Sequence, residues 1–102
     1  MTEEYVDGDV NVVDDNDDVL DRAVLAPRVL DYIARALADN PDAVSVRVDE
    51  NPGLGVKLSL SVSADDLGRV IGRRGRTASA LRTVVGAAGA RDGVTTSVDI
   101  LD

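Results

Sequence analysis

The sequence predicts a two-layer α+β domain in the order α-β-β-α-α-β, a three-stranded sheet covered by helices on one face. Three observations carry this. Three short segments alternate apolar and polar residues, the period-2 signature of half-buried strands. One long segment repeats its apolar residues at spacings of three and four, the mark of an amphipathic helix. Between the second and third strands, two further helical segments meet at Gly72-Arg73-Arg74-Gly75.

Helical periodicity begins near Val24–Ala26, with Leu25, Val29, Tyr32, Ile33, Ala36 and Leu37 on one apolar face. Pro27 confines the start to the first turn, because proline has no N–H to donate deeper in a helix. Asn40-Pro41 stops it. Val44, Val46 and Val48 alternate with Ser45, Arg47 and Asp49, and Val56, Leu58, Leu60 and Val62 alternate with Lys57, Ser59 and Ser61. The turn signal Asn51-Pro52-Gly53 joins them as an antiparallel hairpin.

Ser63-Ala64-Asp65-Asp66 reads as a helix start, the serine hydroxyl accepting a backbone N–H and both acids facing the positive helix end. The short helix runs through Leu67, Val70 and Ile71 and breaks at Gly72. The next carries Ala78, Leu81, Val84, Val85 and Ala88 on one face and is expected to end around Gly86–Gly89. Ala90–Gly93 then reads as a loop, and Val94, Thr96, Val98 and Ile100 as the last strand.

Composition narrows the chemistry. The 102 residues include no His, Cys, Phe or Trp, which removes imidazole and thiolate catalysis and leaves no reason to expect a metal or other cofactor. No P-loop pattern occurs, and the adjacent Asp65 and Asp66 are accounted for as helix-start residues, so an enzyme is not expected. The absence of cysteine, of a long apolar run and of a basic-then-apolar N-terminus points to a cytoplasmic protein.

Charge is partitioned. Residues 1–21 hold nine acids and no base, whereas residues 22–102 hold ten acids and eleven bases, so the net −8 belongs to the N-terminal segment. That segment lacks sustained periodicity and reads as a disordered acidic tail over 1–22, ahead of a folded domain over 23–102. It either keeps the chain soluble, competes with RNA for the domain's arginines, or lowers weak binding by repulsion. Between Arg69 and Arg82 there are five arginines and no acid. Glycines at both ends of Arg73-Arg74 permit a tight turn. The N-terminus of the following helix adds unpaired N–H groups, which together with Arg73, Arg74 and Arg76 suit a phosphate.

The Ile-Gly-x-x-Gly turn between two helices resembles the hallmark of KH domains, and the element order resembles their type II, prokaryotic arrangement. More closely, "LAPRVLDYIARALADNPDAVSVRV" followed by "DLGRVIGRRGRTASALRTVVGAAGA" resembles the KhpA family of small stand-alone bacterial KH proteins, over about Val24 to Asp102. The resemblance implies a non-catalytic module holding about four nucleotides of single-stranded RNA, as an RNA chaperone or adaptor. It would place RNA contacts at Val70, Ile71, Gly72, Arg73, Arg74, Gly75, Arg76 and Thr77. Val70, Ile71 and the sheet edge would form an apolar floor, and Ala90–Gly93 the opposite wall. It also implies pairing, as a homodimer or with a larger KhpB/Jag-type KH protein. Lacking Phe and Trp, one copy forgoes base stacking, worth roughly 1–3 kcal/mol per base, so a second module would raise affinity through effective concentration. The same features leave a protein-binding assembly module as the alternative. A helix-hairpin-helix DNA binder fits less well, because its glycines are spaced Gly-x-Gly.

Overall fold

Leu58 and Leu60, the apolar members of the second alternating segment, are completely buried, and the architecture is arranged around the strand that carries them. The computed structural model describes residues 15–51 and 55–102. Its elements are α1 (Asp15–Arg22), α2 (Leu25–Leu37), β1 (Ser45–Glu50), β2 (Val56–Ser61), α3 (Leu67–Ile71), α4 (Arg76–Asp92) and β3 (Thr96–Ile100). Short 3₁₀ turns at Pro41–Ala43, Ala64–Asp66 and Arg73–Gly75 link them. The sheet order is β1-β2-β3. β1 pairs antiparallel with β2 from Ser45↔Ser61 to Glu50↔Val56. β3 pairs parallel with β2 from Val56↔Thr96 to Leu60↔Ile100. The hairpin is therefore as read from the sequence. Of its turn signal, Pro52 and Gly53 lie outside the described residues, and Asn51 N–H donates to Gly55 O (3.1 Å).

One sheet face meets the helices. Ala26, Leu30 and Ala34 of α2 and Leu81, Val85 and Ala88 of α4 pack on Val56, Leu58, Leu60 and Val98. With no Phe or Trp to fill space, the layers must approach closely, and small side chains allow it. The outer face is polar. Lys57 and Asp99 pair across it (3.3 Å).

Both ends of α2 are held by carboxylates from distant sequence. Its first turn begins Leu25-Ala26-Pro27, and the residue ahead of it, Val24, offers no side-chain cap. Asp92, at the end of α4, accepts from Leu25 N–H (3.0 Å) and Ala26 N–H (2.9 Å). Pro27 has no N–H, so the first three positions are satisfied. Just beyond α2, Asp66 accepts from the N–H groups of Asp39 (2.9 Å) and Asn40 (2.9 Å). Arg35 ties the same connection to the helix by donating to Pro41 O (2.9 Å) and Val44 O (3.2 Å).

Several expectations are corrected. Asp15–Arg22 is helical rather than part of a disordered tail, and Val19 of that helix packs against the core. The rest of the acidic segment lies outside the described residues. Tyr32 is 75% exposed and Leu25 is exposed, because α2 turns Ala26, Leu30 and Ala34 inward instead. Ser63 does not cap a backbone N–H. Its hydroxyl donates to Asp66 Oδ2 (3.0 Å), since the buried carboxylate offers the stronger acceptor. Finally, α4 does not stop at Gly86–Gly89 but continues to Asp92, so Ala90–Asp92 is helix and not loop. Gly89 serves packing: a Cβ there would lie 2.5 Å from the Thr96 methyl, so its absence is what lets β3 cross the helix. The helix ends at Gly93 in the left-handed conformation, with Val94 N–H donating to Gly89 O (2.9 Å).

Asp66 is fully buried. Hydrogen bonds from the Asp39 and then the Asn40 N–H hold its carboxyl below the ordinary aspartate value, outweighing burial, with Ser63 and the nearby Arg69 adding to the effect. A depressed carboxylate pKa contributes stability that is present above the unfolded-state value and lost as pH falls through the folded one. Asp66→Asn presents an NH₂ to one of two backbone donors and is expected to lower the melting temperature at pH 7. The gap from wild type should narrow below about pH 4, as read by circular-dichroism melts across pH. Asp92→Ala is expected to cost about 1–2 kcal/mol, measured by urea unfolding.

Candidate nucleic-acid interface

α3 has only five residues, too few to be stable alone, so its direction is set by what grips its start. Asp66 provides that grip. Arg69, one turn on, donates to Asp39 Oδ2 (2.8 Å) and lies 3.7 Å from Asp66 Oδ1. These contacts pin α3 beside the end of α2, and the chain then leaves at Gly72.

The turn reverses direction within four residues by using positive φ three times: Gly72 (76°), Arg74 (58°) and Gly75 (73°). Gly72 N–H donates back to Gly68 O (2.8 Å), closing α3, and Gly75 N–H donates to Gly72 O (3.1 Å). Gly72 is required twice over. Its φ is left-handed, and a Cβ there would overlap the Thr77 hydroxyl. Thr77 thus fixes the turn from inside the first turn of α4.

Of the expected contact residues, the structure brings Ile71 through Thr77 together around this turn. Arg73, Arg74 and Arg76 are exposed and have no carboxylate partner among the described residues. Elsewhere Arg35, Arg47, Lys57 and Arg69 each have one. Val70 is different. It is completely buried, so it supports the turn from beneath and offers no surface. Ile71, 37% exposed, is the apolar group actually presented. The expected opposite wall at Ala90–Gly93 is replaced by α4 itself, and the link to β3 is only Gly93–Thr95.

Arg82 has a placement that sequence reading missed. From α4 its Nε donates to Val98 O (3.3 Å), spanning to the outermost strand beyond the close crossing of Gly89 and Thr96. Only its membership in the acid-free run Arg69–Arg82 marked it. On the other side of α4, Ile33, Leu37, Thr77, Ala80, Leu81 and Val84 line an apolar groove of about 170 Å³. Val84, expected inward, is 46% exposed at its rim. α4 points Leu81 and Val85 into the core, and Val84 follows at the edge of that face.

A helix–turn–helix with an Ile-Gly-x-x-Gly turn, set on a sheet reached through an α-β-β lead-in, defines a KH-type domain. The family model described as "KhpA/KhpB, KH domain" matches residues 27–100, and the chain belongs to that family. It is similar to "RNA-binding protein KhpA" of Streptomyces coelicolor, 52% identical over 73 residues, covering 72% of this chain and 87% of the relative. The protein of the same name from Halalkalibacterium halodurans is 45% identical over 74 residues, 72% of this chain and 96% of the relative. That of Leifsonia xyli subsp. xyli is 46% identical over 79 residues, 78% of this chain and 99% of the relative.

Arg74 is the one described non-glycine residue with positive φ, a conformation that costs roughly 1–2 kcal/mol for a residue with a Cβ. Arg74→Gly should therefore stabilise the fold by about 0.5–1 kcal/mol after the added unfolded-state entropy is subtracted. Thermal melting should show a rise of a few degrees.

Proposed function

We propose that this chain is a non-catalytic RNA-binding module that seats the backbone of a short single strand on the Gly72–Gly75 turn. The observation that carries the reading is the cluster of Arg73, Arg74 and Arg76, exposed and unpaired among the described residues on a strained turn. The curated relatives are named RNA-binding proteins, which supports the same reading.

The physical division of labour follows from placement. Arg73, Arg74 and Arg76 meet phosphate oxygens, for which the guanidinium fork is well shaped. Ile71 offers the aliphatic surface against which a base lies. Arg82 and the outer edge of β3 supply polar groups on the far side of α4. Gly72, Gly75 and Thr77 shape the turn, and Val70 holds it up from the core. Nothing in this arrangement performs bond chemistry. The protein acts in the cytoplasm as an RNA chaperone or adaptor.

One copy forgoes aromatic stacking, so we further propose pairing with a second KH module, either another copy or a KhpB/Jag-type partner. The apolar groove between α2 and α4, with Val84 exposed at its rim, favours this second, assembly role. No described helix is long and apolar enough to cross a membrane.

If two or three arginines each neutralise one phosphate, log affinity for single-stranded RNA should fall with log salt at a slope of about −1.4 to −2.1. The double change Arg73→Asp and Arg74→Asp is expected to abolish measurable binding with the melting temperature retained, since both side chains are exposed. Arg74→Gly should weaken binding while raising stability. Unchanged crosslinking to RNA by the folded double variant would overturn the reading.

A further inference from the structure

Arg82 differs from the arginines of the turn. Arg73, Arg74 and Arg76 are exposed, with neither a side-chain hydrogen bond nor a carboxylate partner among the described residues. Arg82 is exposed and without a carboxylate too, yet its Nε is tied to Val98 O (3.3 Å). A guanidinium carries five N–H donors in a planar fork. With Nε engaged, the two terminal nitrogens keep theirs, and the plane that holds them is fastened to a strand.

The point of attachment is the open edge of the sheet. β3 is the outer strand and pairs only with β2, in parallel. Thr95 O accepts from Val56 N–H (2.8 Å), and Leu101 N–H donates to Leu60 O (2.9 Å). The odd-numbered residues here therefore turn their backbone groups toward β2. Because these groups alternate along a strand paired on one side, Thr96, Val98 and Ile100 turn theirs outward, where Arg82 meets them.

We infer, resting on the RNA-binding reading above, that Arg82 reads a base: its terminal fork, held at the open edge of β3, selects a nucleobase with two adjacent acceptors. Guanine offers O6 and N7 to such a fork, and unpaired cytosine offers N3 and O2. Adenine sets N7 beside an amino donor, and uracil separates its two carbonyls by an N–H, so neither accepts both bonds. A tethered, oriented fork suits base choice, whereas the untethered arginines of the turn suit phosphates, which position a strand without reading it.

Placement agrees. Arg76, Ser79 and Arg82 recur at intervals of three on α4, so they share one face leading away from the turn. Arg82 lies about 9 Å beyond Arg76 at 1.5 Å per residue. A strand seated on the turn and laid along that face passes Arg82. The chain has no Phe or Trp to favour a base by stacking, which leaves hydrogen bonding as the source of choice.

The test is binding of the full chain to four RNA octamers, read by fluorescence anisotropy. One is all uridine, and in the others a single internal uridine is replaced by guanosine, cytidine or adenosine. The guanosine octamer, the cytidine octamer or both are expected to bind about fivefold to tenfold more tightly than oligouridine, and the adenosine octamer within about twofold of it. Arg82→Lys keeps the charge but loses the planar fork, so the preference should shrink to within about twofold. No preference in the wild-type chain, a preference for adenosine, or an undiminished preference in Arg82→Lys overturns the inference and leaves RNA binding standing. So does loss of all binding by Arg82→Lys, which places Arg82 on the phosphate backbone or in the fold itself. If the wild-type chain binds none of the four, the RNA-binding reading fails and base selection fails with it.

Discussion

The buried carboxylate of Asp66 is the constraint on which the interface depends. It sits at the start of a helix too short to orient itself, and it is satisfied by groups from elsewhere: two backbone N–H groups past the end of α2 and one hydroxyl from Ser63. An unpaired buried carboxylate would be costly, so each donor must be in place for α3 to be where it is. The exit of α3 is the Gly72–Gly75 turn. The position of the arginines is thus decided at a carboxylate that no nucleic acid would touch. Asp92 does the corresponding work at the opposite end of α2. A helix clamped at both termini by residues from the α3–α4 unit makes that unit and α2 a single rigid layer.

That layer rests on a sheet through valine, leucine and alanine contacts alone. Without large aromatic side chains, burial per residue is modest, and close approach has to replace bulk. Gly89 and the alanines at positions 26, 34 and 88 meet that need. The outcome is a small core in which few positions tolerate enlargement. The exposed groups are free to be chosen for other reasons, and the acid-free run of arginines from Arg69 to Arg82 shows such a choice.

Local features were legible and non-local ones were not. The three strands, the start of α2 at Leu25 with Pro27 in its first turn and the turn at Gly72 follow from short-range rules of period, proline and glycine, and each stands where those rules put it. The cap on α2 could not be read, because the residue ahead of the helix is Val24 and its replacement lies 67 positions away at Asp92. The length of α4 was misread for a related reason. Gly86 and Gly89 look like a helix end, yet at Gly89 the missing side chain makes room for Thr96, and tertiary contact overrode local preference. Asp66 looked like an ordinary helix-start acid beside Asp65. Only the fold distinguishes the buried one from the exposed one. Among the site residues, Val70 and Ile71 are adjacent and equally apolar, and the sequence alone assigns both to a floor. The pitch of α3 buries the first and presents the second.

Strain and charge are distributed by the same logic. Arg35, Arg47, Lys57 and Arg69 are each neutralised by a nearby carboxylate, and among the described residues positive φ outside glycine occurs once. That single positive φ belongs to Arg74, which has no carboxylate partner among the described residues and is held left-handed between Gly72 and Gly75. A glycine at that position would relax the backbone but remove a guanidinium. The native residue therefore trades about a kilocalorie of stability for a cation held at a fixed point ahead of the α4 N-terminus. On the proposed function, that cation is placed to meet a phosphate of the bound strand.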